Sequence, residues 1–359
     1  MKSREAPLSL WPGVAAFLGW GVVLSFFQWA GERSAPVLWL TERLAAGLGY
    51  GLGGLVRLPA QVDGTVVKLY GSAQEITPNC FGFAAVTFLL AAVLATPASG
   101  RDRLKGAGLG LVAIALANVV RLVMLAWFFA YAPFAFGFVH IPMWGTVVPL
   151  FLVGVWALWV VRDLHYFPRI PLRFVGLVAI LVVLLLAGWY VLFDRYLVAL
   201  VYSVNAVLTT LVGIPIETLR LTAADLFRHL DVGLPSGGFR LEVAAQTLNI
   251  VPFLALILAS PIALGRRLRL ALCGLAALFV LHSAATAVVI ILGWSARGLV
   301  PVFQIANDFL SLAAGPSLWL LLARPSRAWF ATPAGEAPLR VTRERAEARK
   351  AGPAARPAQ

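Results

Sequence analysis

The stretch GLVAIALANVVRLVMLAWFFA, residues 110–130, decides the fold class. Arg121 is its only ionisable side chain, and a helix of this length crosses a hydrocarbon core of about 30 Å. Comparable apolar runs recur along the chain at about 11–30, 80–96, 106–131, 144–161, 174–193, 248–264, 270–293 and 309–323. The sequence therefore predicts an all-α polytopic membrane protein with about eight full transmembrane helices.

The composition excludes most other classes of protein. Of 359 residues, 60% are apolar and 13% are charged, and the mean hydropathy is +0.87. A soluble domain is nearer half apolar and a quarter charged. This excludes a soluble enzyme and a disordered chain, and continuous rather than alternating apolar runs exclude a membrane β-barrel. Two cysteines, Cys80 and Cys273, make no disulfide framework.

The net charge of +13 indicates topology rather than nucleic-acid binding, because basic residues collect in short loops between the apolar runs. These loops predict a multi-pass protein with a cytoplasmic N-terminus, and the length of the first apolar run predicts a retained span rather than a signal peptide. The polar segments 57–79, 132–143, 214–245 and 294–308 then face outward, the first with strand-like character. Two stretches, 37–56 and 194–213, are ambiguous, and 37–56 fits an interfacial or re-entrant helix better than a full span. The basic residues of the loops are Arg101, Arg103, Lys105, Arg162, Arg169, Arg173, Arg266, Arg267 and Arg269.

An internal duplication underlies this pattern. A shift of 164 gives 10 identities in the 26 positions 86–111, and it superposes loops, polar segments and ambiguous stretches. Four full spans in each repeat would make the two repeats parallel. We predict a first repeat over 1–167, a second over 168–327 and a basic, disordered cytoplasmic tail over 328–359. Alternatively, the C-terminal part is an unrelated membrane domain.

Ionisable groups inside a span are costly, so they are functional candidates. Asn118 and Arg121 share one helix face at the centre of their run. The alternative for Arg121 is a buried partner for helix packing. Cys80 follows Pro78 where a polar segment enters a span, and in the first turn of a helix the dipole would favour its thiolate. His140 stands at the outer start of another span, and its alternative is an interfacial histidine.

Together these residues make the minimal set for acyl transfer. His140 would activate Cys80 and protonate the leaving amine, and Arg121 would stabilise the tetrahedral oxyanion. The weak point of this geometry is depth, because Arg121 lies about 15 Å below the end of its helix near Tyr131. The four histidines lack metal-ligand spacing, so we expect no metal and no cofactor.

The order Cys80, Asn118-Val119-Val120-Arg121 and His140 on successive helices resembles the exosortase/archaeosortase family. The resemblance covers about residues 62–159. It implies a membrane-embedded cysteine peptidase or transpeptidase of a bacterial inner membrane, with its active site toward the outside. By this resemblance Cys80 is the nucleophile, Arg121 the oxyanion or substrate-binding residue and His140 the general acid/base. Its implied substrates are exported proteins with a C-terminal sorting signal, namely a motif such as Pro-Glu-Pro, an apolar span and a basic end.

The chain departs from this family in two places. The family commonly has Cys-Ser-Gly, whereas this chain has Cys80-Phe81-Gly82, which leaves the substrate motif open. In the second repeat, the positions of Cys80, Arg121 and His140 are taken by Ala244, Ala285 and Gln304, so that repeat is predicted to be a degenerate packing or docking partner.

Two other functions fit the same sequence. One is a non-enzymatic transporter or assembly factor for surface polysaccharide, in which Arg121 would hold an anionic group. The other is a cysteine acyltransferase that acts on lipid or glycan through the same three residues. The acyl acceptor of an enzymatic reaction, water or an amine, is not determined by the sequence.

Overall fold

The structure, a computed structural model, describes residues 10–55, 57, 59–69, 72–76, 80, 82–163, 172–214, 218–224, 227–233 and 238–323. Within this part, six helical segments are long and apolar enough to cross a membrane. They confirm the prediction of a helical multi-pass membrane protein. The six segments are Pro12–Glu32, Gly100–Tyr131, Pro133–Asp163, Leu172–Val212, Leu264–Ser295 and Val300–Ala323.

The elements follow one another in two series of similar order. The first series consists of α1 (Leu10–Glu32), α2 (Ala35–Leu55), β1 (Ala60–Asp63), β2 (Val66–Leu69), β3 (Ser72–Glu75), α3 (Phe83–Ala95), α4 (Gly100–Tyr131), α5 (Pro133–Phe138) and α6 (Trp144–Asp163). The second consists of α7 (Leu172–Ala206), β4 (Thr218–Ala224), β5 (Phe227–Gly233), β6 (Phe239–Glu242), α8 (Ala244–Thr247), α9 (Ile250–Ala259), α10 (Leu264–Ser295) and α11 (Val300–Ala323).

Two of the eight predicted spans are short helices. The runs 80–96 and 248–264 form α3, with 13 residues, and α9, with 10 residues. These helices are about 20 and 15 Å long, well short of a hydrocarbon core of about 30 Å. Both are largely buried among other helices, so their apolar sequences reflect protein packing rather than contact with lipid.

The two ambiguous stretches have different outcomes. Residues 194–213 continue the preceding run in one unbroken helical segment, Leu172–Val212, of 41 residues. Residues 37–56 form α2, which is not among the six long apolar segments and packs against β1 and β2. The charged residues Glu42 and Arg43 in α2 are both exposed.

Two segments predicted to be outward loops are helical. Pro133 occupies the first turn of α5, and a π-helical turn, Val139–Met143, joins α5 to α6 without a break. Proline fits the first turn of a helix, and Pro142 cannot donate a backbone hydrogen bond within the π-helical turn. Residues 297–299 form a 3-10 turn directly before α11, so 294–308 is mainly helix as well.

The polar segments 57–79 and 214–245 contain two small sheets. Each sheet is an antiparallel meander of three strands, in the orders β1-β2-β3 and β4-β5-β6. The strand-like character predicted for 57–79 is confirmed by β1 to β3, and a two-residue turn at Gly64 and Thr65 joins β1 to β2. Residues 234–237 and the predicted tail over 328–359 lie outside the described residues.

The two series of elements interlock through α11. The fully buried Phe309 of α11 packs against Phe17 of α1 and Phe88 of α3, with ring centroids 5.4 and 6.4 Å away. Farther along α11, Trp319 belongs to the apolar cluster of α7, α9 and α10. The first series therefore buries part of its core against a helix of the second.

Candidate active site

Cys80 is held at the start of α3 by a hydrogen bond to its backbone. Asn118 Nδ2 donates to the Cys80 carbonyl oxygen at 2.8 Å. The α3 helix itself begins at Phe83, because Gly82 takes the left-handed conformation with φ +77°. Cys80 therefore lies in a 3-10 turn just before α3, and not in the first turn of the α-helix where the sequence placed it.

The Asn118 bond also fixes the depth of the nucleophile. Asn118 lies 13 positions before the end of α4 at Tyr131, which is about 20 Å along the helix axis. Since the carbonyl group of Cys80 contacts Asn118, Cys80 is recessed to this level rather than lying at the helix tip. Cys80 is half-buried and packs beside an apolar cluster formed by Val67, Ile76 and Ala126.

Arg121 lies one turn beyond Asn118 on the same helix face, about 15 Å from the end of α4. Its guanidinium is close enough to interact electrostatically with both Cys80 and His140. Its Nε is buried and has no hydrogen-bond partner in the described part of the chain. No carboxylate among the described residues forms an ion pair with Arg121. The difference in depth expected from the sequence is therefore removed by the recessed position of Cys80.

His140 is brought to the site by the reversal of the chain after α4. Ala132 ends α4, and α5 with its π-helical turn runs back alongside the end of that helix. His140 lies eight positions after this reversal, so it descends by about 10 Å from the tip toward the level of Arg121. Its ring packs against Phe136, with centroids 5.3 Å apart. His140 thus lies within the continuous helical segment Pro133–Asp163, seven residues after its start, because this segment begins earlier than the span predicted at 144–161.

The structure places Cys80 in contact with Asn118, and it places both Cys80 and His140 within electrostatic range of Arg121. It also reveals polar atoms that the sequence analysis missed. Trp144 Nε1 and Thr146 Oγ1 are buried without a partner among the described residues, one to two turns beyond His140. The spacing of four residues between His140 and Trp144 places both on one helix face, and this was the signal available in the sequence.

In the second series, Ala244, Ala285 and Gln304 stand at the positions that correspond to Cys80, Arg121 and His140. His282 occupies the position that corresponds to Asn118 under the shift of 164. Its Nε2 faces Asn249 Oδ1 at 3.0 Å, and its Nδ1 faces the Tyr196 hydroxyl at 2.5 Å. In both series a polar side chain of the long helix thus contacts the segment at the start of the short helix that precedes it, through the Cys80 backbone in the first series and through the Asn249 side chain in the second.

The described residues contain no cluster of three or more His, Cys, Asp or Glu side chains that could hold a metal ion. The groups that the described residues bring to the site are a thiol, an imidazole, a guanidinium and an amide. Comparison of the chain with protein-family models, curated proteins and solved structures gives no match. The class that the fold defines is a multi-pass helical membrane protein with a recessed polar site.

Proposed function

We propose that this protein is an exosortase-like cysteine peptidase or transpeptidase, which cleaves a C-terminal sorting signal of exported proteins at the outer face of a bacterial inner membrane. One observation carries the proposal. Arg121, a half-buried cation with no ion pair in the described chain, interacts electrostatically with both a thiol and an imidazole. A group that develops negative charge during the reaction would supply the missing counter-charge.

The proposed reaction proceeds through a thioester. The Cys80 thiol gives its proton to His140, and the thiolate attacks the carbonyl carbon of the scissile peptide. The guanidinium of Arg121 donates hydrogen bonds to the resulting oxyanion. The C–N bond breaks as His140 passes the proton to the leaving amine. Water or an amine then attacks the thioester, loses a proton through His140 and restores the thiol.

The orientation follows from the arrangement of charge. The basic residues Arg101, Arg103 and Lys105 lie at the start of α4, and the site lies toward its other end. Basic loops are retained on the cytoplasmic side, so the recessed site and both sheets would face outward. The exported protein would then reach Cys80 from the side to which it has been delivered.

The second half is proposed to be a degenerate parallel repeat of the first. Two hydrogen bonds support this relation. Trp156 Nε1 donates to Thr96 Oγ1 at 2.9 Å, and Trp319 Nε1 donates to Ser260 Oγ at 2.9 Å. Thr96 and Ser260 are separated by the shift of 164 residues, and each ends a short apolar helix.

Close helix packing repeats in the same register. A Cβ atom at Gly110 would overlap the side chain of Leu89, and a Cβ atom at Gly274 would overlap the ring of Phe253. Both pairs are related by the shift of 164, and α4 and α10 each have 32 residues. These equivalences support one ancestral helix arrangement from which the second half has lost its reactive residues.

The proposal is tested with Cys80→Ala, using a reporter protein that ends in a Pro-Glu-Pro motif, an apolar span and a basic segment. We expect the wild-type protein to shorten the reporter and Cys80→Ala to reduce this processing to background. The matched control is Cys273→Ala, since Cys273 is exposed on α10, and it should process the reporter at the wild-type rate. Equal processing by wild-type protein and Cys80→Ala, or no processing by either, would contradict the proposal.

The acyltransferase alternative keeps the same nucleophile and differs in the acyl group that Cys80 carries. Trapping the intermediate with hydroxylamine and weighing the released acyl group distinguishes the two functions. A peptide hydroxamate supports peptidase chemistry, whereas a fatty-acyl hydroxamate supports acyl transfer to lipid or glycan.

A further inference from the structure

The sheet beside the site has two different edges. The α2 helix covers one face of the sheet at β1 and β2, and a Cβ atom at Gly49 of α2 would overlap the Val62 side chain of β1. In the described part of the chain no strand pairs with the outer edge of β1 or of β3. The two edges differ in their distance from Cys80 along the chain, and the outer edge of β3, the open edge on the nucleophile side, is the nearer one.

The register identifies which backbone groups this open edge presents. Ile76 N donates to Thr65 O at 2.9 Å, so the hydrogen-bonded positions of β3 alternate from Ile76 to Gln74 and Ser72. The amide and carbonyl groups of Ala73 and Glu75 consequently point away from β2, toward the open edge. They form a short row of pairing groups that another extended chain could use.

This edge is connected directly to the site. Only three residues separate Ile76 from Cys80, a span of at most about 14 Å. Ile76 and Val67 also belong to the apolar cluster against which Cys80 and Val123 pack. A peptide that pairs with β3 would therefore be guided toward Cys80, because the same sheet packs beside Cys80.

We propose that the protein substrate binds as an added strand along β3, with its backbone paired to Ala73 and Glu75 and its scissile bond led to Cys80. This inference rests on the proposed peptidase function and names how that site takes its substrate. Pairing through the backbone is an established way of binding an extended peptide, and it accepts many side chains. Such pairing would align the peptide largely independently of its sequence.

The test uses two matched alanine-to-proline substitutions on opposite edges of one sheet. Ala73→Pro removes an outward-facing N–H from β3 without breaking its ladder with β2, and proline is tolerated on edge strands. Ala60→Pro makes the same change at an outward-facing position of β1, on the edge of the sheet farther from Cys80 in the chain. The probe is a synthetic peptide with the C-terminal sequence of the reporter, and its binding is measured in a Cys80→Ala background.

We expect Ala73→Pro to weaken peptide binding at least tenfold and to slow reporter processing similarly, whereas Ala60→Pro changes neither. Hydrogen exchange on the Cys80→Ala protein gives a second measurement that needs no proline. The amides of Ala73 and Glu75 should become protected when the peptide is bound. Unchanged binding in Ala73→Pro, or unchanged exchange at both amides, overturns the strand-addition proposal. If processing still requires Cys80, the peptidase function survives that result, and if processing does not require Cys80, the function itself is wrong.

Discussion

At the scale of single residues, the site depends on one neutral hydrogen bond. Asn118 holds the backbone of Cys80, and Arg121 lies one turn away on the same helix. The sequence revealed Asn118 and Arg121 because polar residues in an apolar run are unusual. It could not reveal the contact with Cys80, which is 38 residues away, because no local pattern encodes contacts between distant segments.

Replacing Asn118 should therefore affect both folding and processing. In Asn118→Ala the Cys80 carbonyl loses its donor, so we expect the free energy of unfolding to fall by about 1–3 kcal/mol. We also expect reporter processing to slow by about tenfold or more, because the nucleophile is no longer held in place. Thermal unfolding in detergent and processing rates measure the two effects.

Asn205→Ala is the matched control, because Asn205 is exposed on α7, and it should change neither quantity. Processing at the wild-type rate by a folded Asn118→Ala protein would show that the contact does not position Cys80.

At the scale of elements, apolar runs predicted where helices form but not how long they are. The α3 and α9 helices have the composition of membrane spans, yet neighbouring helices bury them as thoroughly as lipid would. The segment before α6 contains Pro133 and Pro142, and proline usually marks a loop. Packing against the end of α4 overrides that local preference, so His140 lies within a helix.

The contact between α1 and α11 allows a sharp test of helix packing. A Cβ atom at Gly21 would overlap the ring of Phe309, whereas nothing lies within 4 Å of one at Gly19. We expect Gly21→Ala to lower the free energy of unfolding by about 1–3 kcal/mol through overpacking. Gly19→Ala should be neutral or stabilising, because alanine is the better helix former.

Unfolding temperatures of the two variants in one detergent provide the comparison. Equal temperatures would mean that α1 and α11 do not pack closely at Gly21. In a Phe309→Ala background the Gly21→Ala substitution should cost less, since the smaller side chain leaves room for the added methyl group.

At the scale of the whole molecule, the two series share a core and do not behave as independent units. Phe309 completes the apolar cluster of α1, α3, α4 and α6, so a fragment that ends before α7 would expose that surface. The sequence indicated a duplication from identities in 86–111, but it could not show that a helix of one half packs inside the other. Such interlocking depends on the three-dimensional order of helices, which similarity between halves does not specify.

We expect residues 1–167 alone to be unstable and inactive in detergent. Co-expression of 1–167 with 168–359 should restore reporter processing, and the two fragments should copurify. Full-rate processing by a stable 1–167 fragment would show that the second half is not needed for folding or for substrate docking.

The segment Leu172–Val212 has 41 helical residues and is about 60 Å long, roughly twice the thickness of the hydrocarbon core. Even at a tilt of about 40°, the steepest that spanning helices commonly show, some 15 Å of this rod stands clear of the lipid. The strand β4, which follows this segment in the chain, packs against α7. In electron micrographs of the protein in a detergent micelle, we therefore expect protein density that projects off-centre beyond the detergent belt. This density should be large enough to guide the alignment of particle images, although the belt itself has a smooth outline.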